Sequence, residues 1–165
     1  MEITEVVNRF MRACDRGDVD ALHACYHPDA VEDHLGKFLG NAHEWIDSIA
    51  DRITDPRTLM THAVTNHVID LRGDSAVSEA YITTTNRRLL NGGLFDVQTQ
   101  SRCIDLFERR GGEWRIARRQ LVMEWCREYP SSETWGHGAV YPDVAAIPRG
   151  AKYPDDVVYK VLADL

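Results

Sequence analysis

Residues 75–112 read SAVSEAYITTTNRRLLNGGLFDVQTQSRCIDLFERRGG. Two long runs rich in Thr, Val, Ile, Tyr and Phe, Ser75 to Leu90 and Phe95 to Arg110, are separated by Asn91-Gly92-Gly93 and closed by Gly111-Gly112. β-Branched and aromatic runs bounded by Asn-Gly and Gly-Gly pairs mark antiparallel hairpins, because glycine and asparagine enter the positive-φ region of tight turns at little cost. Working outward, Leu59 to Leu71 is a further run ending at Gly73-Asp74, and Glu113 to about Cys126 is the last one. The centre of the chain therefore reads as a four-strand meander.

Upstream the period changes. Ile3, Val6, Val7, Phe10, Met11 and Cys14 recur at three-and-four spacing, the pattern of an amphipathic helix, and Gly17 ends it in the position of a left-handed cap. Asp18 then caps a shorter helix carrying Val19, Leu22 and Cys25. His27-Pro28-Asp29 reads as a turn and Ala30 to Leu35 as a short strand. Asn41 starts a third helix with Trp45, Ile46, Ile49 and Ile53 on one side, and Asp55-Pro56-Arg57 stops it. Helices followed by strands give an α+β fold, with helices on one face of a strongly curved antiparallel sheet. Such a sheet with helices across its mouth encloses a cone-shaped pocket, a common ligand-site geometry.

The 165 residues suit one domain with a real core, and 44% hydrophobic with 27% charged residues reads as folded and soluble. A net charge of -7 argues against a nucleic-acid or anionic-membrane partner, which needs a basic face. No signal peptide and no membrane span are visible, so a cytoplasmic protein is expected. Cys14, Cys25, Cys103 and Cys126 lack Cys-x-x-Cys spacing and read as small buried side chains. Residues 127–165 hold several Pro and Gly but also Trp135, Tyr141, Val144, Ile147 and Tyr153. That is too apolar for a disordered tail. The expectation is a pocket domain over 1–126 and a C-terminal extension over 127–165 that packs on the pocket mouth or on a neighbouring subunit.

Asp15 at the end of the first helix and His62 at the start of a strand form a general-base pair if the fold brings them together. A neutral imidazole near its pKa takes a proton at low cost, and a carboxylate behind it fixes the tautomer. Asn66 lies four residues on, hence on the same strand face, and is a candidate substrate contact, whereas His67 has the opposite parity and should face away. His34 is a candidate proton donor at the pocket mouth. Tyr26, Tyr81, Asn86, Arg102 and Trp125 are candidate pocket contacts, Arg102 for an oxyanion and Trp125 for an apolar wall. His137, between two glycines in the tail, is read as a surface histidine. No metal-ligand spacing, phosphate loop, dinucleotide fingerprint or Gly-x-Ser-x-Gly elbow is present in the sequence. The expected chemistry is proton transfer without a cofactor or a metal.

The segments Arg12-Ala13-Cys14-Asp15-Arg16-Gly17-Asp18, Tyr26-His27-Pro28-Asp29-Ala30, Asp33-His34-Leu35-Gly36, Thr61-His62 with Asn66, and Phe107-Glu108-Arg109-Arg110-Gly111-Gly112-Glu113-Trp114 resemble the SnoaL-like branch of the NTF2-like superfamily. The resemblance covers about residues 3–126. It implies an α+β cone. It also implies, at Asp15 and His62, the Asp–His pair shared by several of its enzymes, which include scytalone dehydratase, bile-acid 7α-dehydratase, a hexachlorocyclohexane dehydrochlorinase, ketosteroid isomerase and polyketide cyclases. This chain departs from them where pocket residues are concerned. Phe10 stands where the bile-acid enzyme has a tyrosine, His34 near a tyrosine of scytalone dehydratase, and Met123 near a basic residue of the bile-acid enzyme.

The reading is a cofactor-independent lyase or isomerase acting on a small aromatic or alicyclic substrate, with dehydration as the leading case. Aldol-type cyclisation and retro-aldol carbon–carbon cleavage use the same parts. A non-catalytic binding or assembly domain, like the small subunits of ring-hydroxylating oxygenases, is the alternative from another class. The apolar tail and an open sheet face suggest a homo-oligomer, a trimer before a dimer.

Overall fold

A computed structural model describes residues 3–132 and 147–165. Its elements are helices α1 (Ile3–Arg16) and α2 (Val19–Ala24), strands β1 (Tyr26–His34) and β2 (Phe38–Asn41), helix α3 (Ala42–Thr54), strands β3 (Leu59–Arg72), β4 (Ser75–Leu90), β5 (Gly93–Arg110) and β6 (Glu113–Pro130), and helix α4 (Val157–Ala163). The expected meander is β3 to β6, with Asn91 and Gly92 at positive φ in one turn and Gly111 and Gly112 in another. It belongs to a curved six-stranded sheet in the order β2-β1-β6-β5-β4-β3. The fold is α+β, with the N-terminal helices against a sheet that does not close into a barrel.

Two local expectations are corrected at the other edge. His27-Pro28-Asp29 is not a turn but lies within β1, where the parallel pairing with β6 shifts register between Tyr26 and Val31. Proline has no N–H to give a ladder, so it is accommodated at that irregularity. Strand β2, which the sequence reading lacked, pairs back onto β1 through a turn with Leu35 and Gly36 at positive φ. No helix among the described residues is long and apolar enough to cross a membrane.

The helices form because their apolar residues make a stripe that the sheet covers. Val6, Val7, Phe10 and Met11 of α1 and Trp45, Ile46 and Ile53 of α3 are buried, as are Ile82, Phe107 and Ile116 from the sheet. Each such side chain contributes about 1.5–3 kcal/mol by leaving water. Asp18 caps α2 by accepting from the Ala21 N–H, and Asn41 caps α3 by accepting from the His43 N–H. Gly17 joins α1 to α2 at φ 68°, and a Cβ there would sit 2.6 Å from the Ile53 carbonyl oxygen. Only glycine allows the end of α1 to lie this close to α3, and that end carries Asp15.

β6 continues past residue 126 to Pro130. The described part of the tail runs along the end of α1. Lys152 Nζ donates to the Asp15 carbonyl at 2.9 Å, and the Tyr153 N–H donates to the Arg16 carbonyl at 2.7 Å. Asp156 caps α4 and also accepts from the Ala151 N–H. Those two backbone N–H groups help hold its carboxyl below the usual range. Trp135, His137, Tyr141 and Val144 lie outside the described residues.

Candidate active site

β3 is an edge strand, so some of its backbone N–H groups have no partner strand. At His62 that gap is filled by Asp15. The His62 N–H donates to Asp15 Oδ2 at 3.1 Å, and the imidazole Nδ1 lies 2.7 Å from Asp15 Oδ1. Each carboxylate oxygen thus takes one donor from the same residue. With Nδ1–H committed to the carboxylate, Nε2 carries the lone pair, and it has no hydrogen-bond partner among the described residues. The His62 imidazole forms part of the wall of a cavity of about 190 Å³. Asp15 stands behind it, outside that wall.

The wall facing this pair is mainly apolar. Phe10 from α1 and Trp45 from α3 lie parallel, with centroids 6.4 Å apart, and the His34 ring stacks on Trp45 at 4.7 Å. His34 Nδ1 donates to Glu32 Oε1 at 3.0 Å. Glu32 is fully buried and takes a second hydrogen bond, from the Tyr26 hydroxyl, at 2.7 Å. Asn86 is buried and lines the cavity. Cys14 and Cys103 line it as neutral thiols, since burial pushes the Cys103 thiol up to about 12 and the Cys14 thiol higher still.

Five of the expected pocket contacts lie elsewhere. Tyr26 is fully buried beneath the cavity, edge-on to Phe10, and supports the wall from behind through Phe10 and Glu32. Asn66 sits in a β-bulge, at φ 46°, where the β3–β4 register skips from Thr65 to Val68. The bulge reverses the alternation. Asn66 is exposed, and His67, expected to face away, turns in so that Nε2 lies 2.7 Å from the buried Ser78 hydroxyl. Tyr81 and Arg102 are paired across β4 and β5 on the outer face, where Arg102 is held by Glu79 at 2.8 Å and Glu124 at 2.6 Å. Trp125 does not line the cavity. It is 38% exposed, with the Arg127 guanidinium 5.0 Å from its ring centre. Cys126, read as buried, is exposed.

The arginine of the wall is Arg119. It is 2% exposed, and its Nε and Nη2 each donate to Asp105 at 2.7 Å, while its guanidinium carbon lies 4.0 Å from the Phe10 ring centre. Burial, the largest single influence, pulls its pKa down, but the charge and hydrogen bonds of Asp105, together with Tyr26 and Cys103, hold it well above the ordinary value. Its Nη1 has no hydrogen-bond partner among the described residues. The sequence hid Arg119 because the β5–β6 register shifts between Leu106 and Phe107, opposite Ala117. Strict alternation from Ile116 would have turned Arg118 inward instead. Asp105 and Glu32 did leave a signal. Asp105 has the parity of Cys103 and Phe107, and Glu32 that of His34.

Among the described residues no group of three or more His, Cys, Asp or Glu side chains is arranged to hold a metal ion.

Fold and site together define a small α+β pocket protein with a carboxylate-oriented histidine facing an enclosed apolar space. The model of the SnoaL-like domain matches residues 1–120, and the chain belongs to that family, within the NTF2-like superfamily. No curated protein matches it. Among solved structures, the chain is similar to a protein named for scytalone dehydratase from Novosphingobium aromaticivorans. They share 16% identity at a TM-score of 0.68 over 79% of this chain and 87% of the other. A hexachlorocyclohexane dehydrochlorinase from Novosphingobium barchaimii gives 16% identity and a TM-score of 0.68 over 79% and 90%. A Mycobacterium tuberculosis protein of unknown function gives 19% identity and a TM-score of 0.57 over 74% and 69%. At these identities the likeness is one of fold.

Proposed function

We propose that this protein is a cofactor-independent lyase in which His62 is the general base, acting on a compact ring-containing molecule held against Phe10 and Trp45. The observation that carries the reading is the bidentate seating of His62 on Asp15, which leaves Nε2 free in the cavity wall. In the leading case, dehydration, Nε2 removes a proton from carbon and the C–H electrons form the new double bond. The hydroxyl on the neighbouring carbon leaves as water with a proton from Nε2 of a His34 imidazolium, whose Nδ1–H stays on Glu32, or from the His62 imidazolium. Asp15 stabilises the imidazolium while it exists. The Arg119 guanidinium, in the cavity wall, lends positive charge to a developing oxyanion where the substrate carries a carbonyl. Isomerisation, aldol-type cyclisation and retro-aldol cleavage begin with the same proton abstraction.

The test is a screen of hydroxylated and halogenated ring compounds in D2O, followed by proton NMR for exchange or loss of the acidic C–H. Turnover by the wild-type chain should fall about 10²–10⁴-fold in His62→Ala, with the variant still folded by circular dichroism. Turnover that survives that substitution would overturn the reading. Absence of turnover, with a stable stoichiometric complex with a larger oxygenase chain, would favour the assembly role instead. We also propose that the protein is cytoplasmic and assembles as a homotrimer, the assembly being supported by Val68, Val77 and Leu106, which stand exposed on the outer face of the sheet. A monomer by light scattering at micromolar concentration would sink that.

A further inference from the structure

Two sets of arginines in this chain contrast in their partners. Arg57, Arg87, Arg102, Arg109, Arg110 and Arg115 each pair with a carboxylate. Arg52, in the last turn of α3, and Arg88, near the end of β4, have no ion pair or hydrogen bond to their side chains among the described residues, yet both form part of the cavity wall. The chain has 26 acidic and 19 basic residues, so carboxylates are not scarce. The two guanidiniums also feel one another. Partial burial, and then the charge of Arg88, lower the pKa of Arg52. Like charges side by side cost free energy in the empty protein, and an anion between them removes that cost.

The wall as a whole has the same bias. It contains Arg52, Arg88 and Arg119 against one carboxylate, Glu32, which is already taken by Tyr26 and His34. Asp15 and Asp105 stand behind His62 and Arg119 and are not in the wall. Asp105 neutralises Arg119, and Asp15 and Glu32 are held by histidines, so the positive charge left without a carboxylate beside it is that of Arg52 and Arg88, which draws an anion to that one place. The position of the charge is also defined. Arg52 and Arg88 are exposed, at the mouth, whereas Phe10, Trp45 and Met60 are buried. At about 190 Å³ the space lies below the common ~300–1,000 Å³ of ligand pockets, so the body it takes is small.

We propose that the cavity takes a compact apolar ring bearing one oxyanion group, a carboxylate or a phosphoryl, with the oxyanion bound by Arg52 and Arg88 and the ring lodged against Trp45 and Phe10. Guanidinium forks match both groups in bidentate geometry. The proposal rests on the cavity being the substrate site, but not on His62 acting as a base.

The experiment is calorimetric titration of the full chain with benzoate, phenylphosphonate and the neutral isostere benzamide, at low ionic strength, where exposed charges are least screened. At least one of the two anions should bind about tenfold more tightly than benzamide, a difference of about 1.4 kcal/mol. The double variant Arg52→Gln/Arg88→Gln should lose that preference while its benzamide affinity and melting temperature stay unchanged. Tighter benzoate would identify carboxylic acids as the ligand class, and tighter phenylphosphonate would identify phosphoryl compounds. Equal affinity for the three probes, no binding of any, or an anion preference that survives in the double variant would each overturn the proposal. The last of these would move the anion to Arg119. His62→Ala should retain the anion preference. A chain that selects anions but never exchanges a C–H proton would therefore sink the lyase reading and leave this one standing.

Discussion

Arg119 and Arg102 lie on the neighbouring strands β6 and β5, and each is clamped by carboxylates at 2.6–2.8 Å, yet they belong to opposite sides of the sheet. On the inner side Arg119–Asp105 is buried at 2% and 1% side-chain exposure, and Glu32 is buried with it. On the outer side Arg102, Glu79 and Glu124 are 29%, 42% and 35% exposed. The contact lists look alike and the energetics do not. Water screens the outer group and would replace either partner at little cost. The inner group has no such substitute, so removing one partner strands a charge. The ionised groups Arg119, Asp105 and Glu32, in and behind the cavity wall, are therefore mutually committed, and His62 Nε2, Asn86, Arg52 and Arg88 stand in that wall without a side-chain hydrogen-bond partner among the described residues.

The largest expected contrast between the two sides is chemical. At pH 8 the Cys103 thiol, with its pKa near 12, holds only about one part in 10⁴ as thiolate. Dithionitrobenzoate should titrate one thiol rapidly, the exposed Cys126, and the other three only after unfolding. More than one fast equivalent would break the contrast.

Next is Arg119→Met, which leaves Asp105 buried and unpaired and should cost about 3–5 kcal/mol in urea denaturation. The double variant Asp105→Leu/Arg119→Met should recover most of the loss. A single variant no less stable than Arg102→Met would refute the assignment of Arg119 to the inner group.

Tyr26→Phe removes one donor from the buried Glu32 carboxylate and should cost about 1–3 kcal/mol. Tyr81→Phe, on the outer side, should cost nothing measurable, so equal losses would erase the distinction.

His67 gives a smaller, pH-dependent effect. Burial lowers its pKa in the folded protein, so the unfolded chain takes up the proton first. Stability should fall as pH drops from about 6.5 to the folded value and change no further below it. His67→Gln should flatten this part of the profile. A wild-type profile with the opposite slope, after subtraction of the variant, would return His67 to the outer face. Smallest of all, Arg102→Met should leave the denaturation midpoint where it is.

Much of the fold was legible because it depends on local periodicity and turn chemistry. The stripe Val6, Val7, Phe10, Met11 and the caps Asp18 and Asn41 gave α1, α2 and α3, and the glycine pairs gave the hairpins of β3 to β6. β2 and the continuation of β1 through Pro28 were not legible. A four-residue edge strand has too few positions for a period, and proline there reads as a break until a bulge accommodates it. In the site, His62 and Asp15 were marked by their places at element ends, and the structure joins them at 2.7 Å. Asn66 and His67 were misjudged and Arg119 was passed over for one reason: each lies beside a β-bulge, and a bulge moves every later side chain to the other face.

By itself, then, the sequence determined the element order and the α+β class, since these follow from interactions within a few positions along the chain, and it marked Asp15 and His62 by their places at element ends and by the family resemblance, while their meeting across 47 positions belongs to the fold. Only the tertiary structure decided which polar groups face the cavity and which face water. That choice depends on two bulges and on the partners they bring together, Arg119 with Asp105 and His67 with Ser78, residues 14 and 11 positions apart. The free energy that fixes their orientation comes from burial and pairing across strands, to which no local pattern is sensitive.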